Sequence, residues 1–320
     1  MISMGALRDP AWREWYRAQH DRRVLATGTE FEDYATAALG YLHQDFVNPD
    51  PAGRFGDWGC DGLAERGSIL YACYGARPME DAERKLREKL EHDFPRAVDK
   101  WPDMTKWRFV TNATFGPLAS QYITERQRIH GPETARPIEI ELWKPERLWT
   151  DAVARLTAGQ LDHLFPGVPR ASNVELSDVA VLLDALNDGS SPETLAAIRP
   201  VPPTKMDWND LSGPARLEFN EGRLSHPRID EWFTNQADPD LRERLGVRFQ
   251  KVYEGHRLLN ADTREVLERV YVSVGGSDFR LDGRRANSVY AVTSYFFDSC
   301  YIFEEPPPAY AGGPRVASAY

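Results

Sequence analysis

The chain has 320 residues, 42% of them hydrophobic, and a formal charge of −10 from 39 basic and 49 acidic side chains. That length holds two domains at roughly 100–200 residues each, and no apolar run approaches the ~18 residues that a membrane-spanning helix needs. Met1 to Gly5 lacks the layout of a signal peptide, and Cys60, Cys73 and Cys300 form an odd set without C-x-x-C spacing. The composition therefore speaks against export, a disulfide framework and a zinc ribbon, and a cytoplasmic protein is expected.

Gly28 to Phe46 carries Phe31, Tyr34, Ala35, Ala38, Leu39, Leu42 and Phe46 on one helical face. Thr29 is the expected cap of this helix, and Glu30, Glu32 and Asp33 fall in its first turn, where the helix dipole favours acids. A Pro/Gly/Asp-rich segment, Asn48 to Gly62, follows. Ser68 to Tyr74 is short, apolar and uncharged, as a strand covered on both faces should be.

Met79 to Phe94 repeats Met79, Ala82, Leu86, Leu90 and Phe94 at helical spacing. Lys106 to Thr111 reads as a second buried strand and Pro117 to about His130 as a helix. Pro137 to Trp143 alternates Ile138, Ile140 and Leu142 with Glu139 and Glu141, the pattern of an edge strand with one wet face. Helices thus alternate with strands, which defines an α/β domain.

Helical turns run from Pro145 to Phe165. Residues 166–204 are proline-rich and read as a linker around a short helix at Ser177 to Leu186. From 205 to 305 only helices are expected. Asp238-Pro239 caps one of them, and Asn287 to Phe303, apolar on nearly every side, should lie at the centre of a helical domain. Residues 306–320, rich in Pro, Gly, Ala and Ser, read as a flexible tail.

The chemistry concentrates in Gly53-Arg54-Phe55-Gly56-Asp57-Trp58-Gly59-Cys60-Asp61-Gly62. A glycine-punctuated loop that delivers carboxylates to the start of a buried strand suits a divalent cation, whose hard oxygen ligands Asp and Glu supply. Asp61 and Glu32 are the candidate ligands and Asp57 a supporting acid. Gly-Asp-x-Gly also describes tight turns in which Asp caps its own backbone, and that reading stays open. The net charge disfavours unaided nucleic-acid binding, since such affinity comes from cations that neutralise phosphates. Either a partner supplies the basic surface, or Arg84, Lys85, Arg87 and Lys89 form one locally.

The segment Phe31-Glu32-Asp33-Tyr34, the G-D-W-G-C-D-G loop and the strand after it resemble the PD-(D/E)XK nuclease superfamily, in particular its Mrr-like branch. The resemblance implies a restriction-endonuclease-like mixed sheet with flanking helices over residues 1–165, with Glu32 as the helix acid and Asp61 as the metal-binding aspartate. The chain departs from the pattern at the Q-x-K positions, which fall on Ala72-Cys73-Tyr74. Lys85 is the candidate for a lysine that has migrated to the following helix, with Lys89 one turn further on.

A wider similarity covers Leu70 to Gly75, His92-Asp93-Phe94, Trp107 to Asn112 and Tyr295 to Glu304. In their order these segments resemble the effector-type proteins of bacterial three-component ABC-ATPase (ABC-3C) systems, which are related to Lamassu-type antiphage defence. That resemblance implies a Mg²⁺- or Mn²⁺-dependent DNA endonuclease joined to a helical interaction domain at 205–305. It also implies an ABC/SMC-type ATPase and a small middle component as partners, with homo-oligomerisation left open. The alternative is a catalytically degenerate nuclease fold kept as a scaffold or nucleic-acid-binding subunit. A third reading, a small-molecule enzyme, would call for an enclosed apolar pocket.

Overall fold

The computed structural model describes residues 10–49, 58–170, 174–187, 204–211, 213–259, 262–299, 302–304, 306, 307 and 310. Asp57, Cys300, all of residues 188–203 and most of residues 306–320 lie outside them. The chain divides into two compact units, one built on residues 16–164 and one on 165 onward together with Pro10–Trp15.

In the first unit, the part of α1 (Pro10–Arg23) from Tyr16 onward and α2 (Thr29–Leu42) precede a four-stranded sheet of β1 (Gly62–Ala64), β2 (Ile69–Tyr74), β3 (Lys106–Thr111) and β4 (Glu139–Trp143). The strands lie in that order; β1 runs antiparallel to β2, and β2, β3 and β4 are parallel. Val47 adds an antiparallel bridge to Leu63. The unit is α/β with a small mixed sheet.

α3 (Ala82–Lys100) and α4 (Pro117–Ile129) are the crossovers that parallel strands require. Their Leu86, Leu90, Phe94, Ala119 and Ile123 bury Leu70, Ala72, Trp107, Phe109 and Ile140 on one sheet face. At about 1.5–3 kcal/mol for each large side chain, this burial fixes the strand register.

Two local expectations are corrected. Thr29 is not a cap: Gly28 occupies that position at φ +54 and offers no side-chain acceptor, while its N–H bonds the Ala76 carbonyl at 3.1 Å. The start of α2 is therefore tied to the segment that follows β2. The second helix does not stop ahead of Pro95 but runs on to Lys100. Phe94 and Ala97, on either side of the proline, are buried in the same core, and Arg136 donates to the carbonyls of Val98 and Trp101 at 2.5 and 2.6 Å, closing the helix end. That packing offsets the roughly 3 kcal/mol an interior proline costs. Short helices α5 (Pro145–Asp151) and α6 (Ala158–Leu164) complete the unit.

The described residues of the second unit form helices joined by turns, and no strand is found among them. It contains α7 (Leu176–Asn187), α8 (Lys205–Trp208), α9 (Gly213–Arg223), α10 (His226–Thr234), α11 (Leu241–Leu259), α12 (Thr263–Gly275) and α13 (Gly283–Asp298). Every residue from Ala286 to Phe297 is buried, as the all-round apolar pattern foretells. α7, read from the prolines as part of a linker, instead buries Val179 and Leu183 in this core. Asp238 caps a turn by accepting from the Asp240 N–H at 2.9 Å, and α11 starts just beyond, at Leu241.

Candidate functional site

β1 stops pairing with β2 at Gly62 opposite Tyr71. Because backbone groups alternate in direction along a strand, the outward donors of β2 beyond that point belong to Cys73 and then Gly75. Among the described residues no strand meets them. The Cys73 N–H donates to Asp61 Oδ2 at 2.7 Å, and the Gly75 N–H donates to Glu32 Oε1 at 3.0 Å. The two acids thus come from separate elements and complete one ladder, on donors about 7 Å apart along the strand.

Local sequence explains the placement. The Asp61 N–H bonds the Tyr71 carbonyl at 2.8 Å, which sets the aspartate at the last rung of β1. Glu32 arrives because the start of α2 lies against the end of β2. A methyl group on Gly75 would stand 2.0 Å from the Gly28 carbonyl oxygen, so only glycine allows this approach. On the loop side, Gly59 takes φ +74 and packs on the backbone of Asp93, where a methyl group would meet the carbonyl oxygen at 2.6 Å.

Cys73 lies between the acids and is buried. Burial pushes its thiol well above the ordinary range, the charges of Asp61 and Glu32 push the same way, and the Thr36 hydroxyl and Lys89 oppose them. The thiol stays protonated and is no nucleophile. Tyr74, at the departed lysine position, stacks on Phe109 on the α3 side of the sheet, with ring centroids 6.4 Å apart. Its ring belongs to the core rather than to the acids.

The basic residues of α3 separate by depth. Arg84 pairs with Asp81 and Glu88, Lys85 with Glu88 at 2.9 Å and Arg87 with Glu91 at 2.9 Å, all on exposed or half-exposed side chains. Intrahelical acids thus neutralise the local basic face read from these residues. Lys89 instead reaches inward and pairs with buried Asp93 at 2.7 Å. Asp93 also accepts from His92 Nδ1 at 2.9 Å; Arg96, which can only donate, bonds His92 Nε2 and so fixes that tautomer.

Glu32 and Asp61 are therefore brought to one strand edge, Lys85 is held in a solvent-facing ion pair, and Asp57 lies outside the described residues. Among the described residues no group of three or more His, Cys, Asp or Glu could hold a metal ion. Two carboxylates nevertheless suit Mg²⁺, which is bound through one or two of them together with waters and substrate phosphates.

Sequence reasoning missed a second polar row on the opposite sheet face. Register aligns Tyr71, Arg108 and Glu141 across β2, β3 and β4. Arg108 donates to the Tyr71 hydroxyl and to Glu141 Oε2, each at 2.6 Å, and Tyr71 hydrogen-bonds His43 Nε2 at 2.8 Å. Burial would raise the Glu141 carboxyl, but Arg108 and Arg147 hold it below its usual range. The alternation assigned Glu141 to water; aligning its position with Arg108 would have revealed the pair. An open cleft of about 540 Å³ lies at the β4 edge, lined by Lys106, Gln127, His130, Pro132 and Ile140, away from the acids.

Residues 177–304 match a family model described as C-terminal domain 10 of the ABC-three component (ABC-3C) systems. The match covers α7 through α13 and supports membership in an ABC-three component system. Comparison with curated proteins and with solved structures gives no match. Among the described residues no helix is long and apolar enough to cross a membrane.

Proposed function

We propose that the chain is the nuclease effector of an ABC-three component antiphage system, of PD-(D/E)XK type and active on DNA. In this reading its helical second unit engages the other components, an ABC/SMC-type ATPase and a small middle component. The observation that carries the reading is the arrival of Asp61 and Glu32 on neighbouring donors of one strand edge, at 2.7 and 3.0 Å. The matched C-terminal domain supplies the context.

Asp61 and Glu32 would hold Mg²⁺ or Mn²⁺, with Asp57, four residues before Asp61 in the sequence, as a supporting acid. When bound, such an ion lowers the pKa of water and offsets the charge that develops on a phosphodiester. The protein contributes orientation: backbone N–H groups pin one oxygen of each carboxylate and keep both aimed at the edge. DNA would be held chiefly by partner surfaces, because the chain is acidic and the arginines of α3 are already paired.

Plasmid cleavage in Mg²⁺, by the chain alone and with its system partners, tests this. Asp61→Asn keeps an oxygen for the Cys73 N–H but loses the charge, so it should lower cleavage more than about 100-fold while stability changes by less than about 1 kcal/mol. Equal cleavage by both proteins would refute the reading.

The same hydrogen bonds favour a second reading, a degenerate nuclease fold in which the carboxylates merely cap an unpaired strand. A charged hydrogen bond of this kind contributes about 1.5–3 kcal/mol. Under that reading Asp61→Ala unfolds the edge, and Asp61→Asn is silent in every assay.

A further inference from the structure

We propose that the outer edge of β4 docks an extended segment of another component of the system, which adds to the sheet as a fifth strand. The inference goes beyond the nucleolytic reading: it takes its partners from the proposed function but not its chemistry, and makes no use of Glu32 or Asp61. It starts from the ladder. The Glu139 N–H bonds the Thr105 carbonyl at 2.8 Å, so Glu139, Glu141 and Trp143 face β3, while the backbone groups of Ile140 and Leu142 face away. β4 ends the sheet, and among the described residues no strand pairs with its outer side. Two contacts cover its beginning: the Ile138 N–H donates to the His130 carbonyl and Gln127 Nε2 to the Ile140 carbonyl, each at 3.0 Å. Past them, the Ile140 N–H and both backbone groups of Leu142 point outward at the spacing of a neighbouring strand. Exposed edges are commonly protected by lysine or proline within the strand. β4 has neither, since Pro137 precedes it and Lys144 follows it.

The cleft of about 540 Å³ lies at this same edge. Pro132, Pro137, Ile138 and Ile140 give it apolar walls, and Gln127 and His130 add polar groups. Its walls are fixed in advance: Arg136, beside Pro137, donates to the Val98 and Trp101 carbonyls at 2.5 and 2.6 Å and so fastens the loop to the end of α3. A strand added to β4 places alternate side chains over this face of the sheet, and an apolar one enters the cleft.

Charge on the other face selects the occupant. The acids Glu139 and Glu141 are the ionisable residues of β4, and Glu139, exposed and paired with Lys106 from the inner strand, stands nearest an incoming chain. A basic side chain next to the apolar one complements it. A second copy of the chain does not. Antiparallel pairing that joins Ile140 to Leu142 of the copy sets Glu141 opposite its own counterpart and Trp143 opposite Glu139, which opposes like charges and supplies no base. The edge therefore fits a segment of a different protein, extended, with apolar and basic residues side by side.

The test titrates the full chain with the purified ABC/SMC-type ATPase and, separately, with the small middle component, and reads amide exchange residue by residue. In the free chain the Ile140 and Leu142 amides should exchange fast. In the complex with one component they should slow at least about 100-fold, while Glu139 and Glu141, bonded to β3, are protected in both states. Leu142→Pro removes an outward N–H that no bond to β3 uses, and should weaken binding at least about tenfold. Glu139→Lys reverses an exposed charge and should weaken it about threefold or more. Should Leu142→Pro fail to fold, Glu139→Lys and the exchange pattern carry the measurement. The proposal is overturned if neither component slows the two amides, or if the folded variants bind as wild type does. Protection already present in the free chain overturns it too. If that protection grows with concentration, a second copy covers the edge; if not, a segment of the same chain does. Plasmid cleavage by Asp61→Asn bears on none of these readouts, so the docking and the nucleolytic reading fail separately.

Discussion

The end of β2 and the centre of α13 are both crowded, yet they solve opposite problems. Along α13, Ala286 to Phe297 are all buried, and aromatic pairs such as Phe249 with Phe296, 4.8 Å apart, fill the surrounding space. At the end of β2, two carboxylates occupy the place a neighbouring strand would fill. The first arrangement is what burial of apolar area demands of any helical core. The second spends acidic side chains where an ordinary sheet would use backbone. The family match falls on the helical unit, while the residue types suited to phosphodiester chemistry lie on the sheet.

The largest effect expected tests the helical side. Phe296→Ala should cost about 3–5 kcal/mol in urea unfolding, because a fully buried ring leaves a cavity. A loss below about 1 kcal/mol would mean that α13 is not the packed centre of its unit.

Next comes a pH effect in the sheet unit. His20 is buried, bonds Tyr34 at 2.6 Å and the Pro145 carbonyl at 2.9 Å, and burial brings its pKa down to about 4. Above pH 6.5 the ring is neutral in both folded and unfolded chains and contributes no pH dependence. As pH falls from 6.5 towards 4 the unfolded chain takes up a proton that the folded one refuses, so about 3 kcal/mol of stability is lost, with a plateau below. His43 and His226 are lowered by burial too and add to the same trend. The difference between wild type and His20→Gln in urea midpoints at pH 7, 5 and 4 isolates this residue; parallel curves would contradict its burial as a neutral group.

A smaller effect sharpens the contrast at the edge itself. Glu32→Gln retains an acceptor for the Gly75 N–H, so unfolding free energy should move by less than about 1 kcal/mol while Mn²⁺ affinity falls at least about tenfold. A stability change without an affinity change would mark Glu32 as a strand cap alone.

Much of the frame was legible in the residues. Uncharged Ile69 to Tyr74 and the run Lys106 to Thr111 could be read as strands because each lacks turn formers inside and is bounded by them. Asn287 to Phe303 announced a buried helix because no polar stripe interrupts it. What escaped depended on long-range contact. Gly28 displaced Thr29 as the helix start because Ala76, far along the chain, takes its N–H. α3 outran Pro95 because a core waits on both sides of the proline. Leu176–Asn187 read as linker because its flanking prolines say nothing of the face that α13 covers.

In the site, the pairing of Glu32 with Asp61 could be reasoned from their elements, since both precede the same strand. That Lys85 pairs with an exposed acid and Lys89 with a buried one could not be decided by periodicity. One helical turn apart, they share a face, and only the depth of Asp93 separates them.

The most direct test of the account is Mg²⁺-dependent cleavage of plasmid DNA by wild type and Asp61→Asn in the presence of the system partners. The account predicts cleavage by wild type and a loss of more than about 100-fold in the variant, with unfolding free energy preserved within about 1 kcal/mol. Equal cleavage by the two proteins, or none by either, would contradict it and leave the edge carboxylates as structural caps.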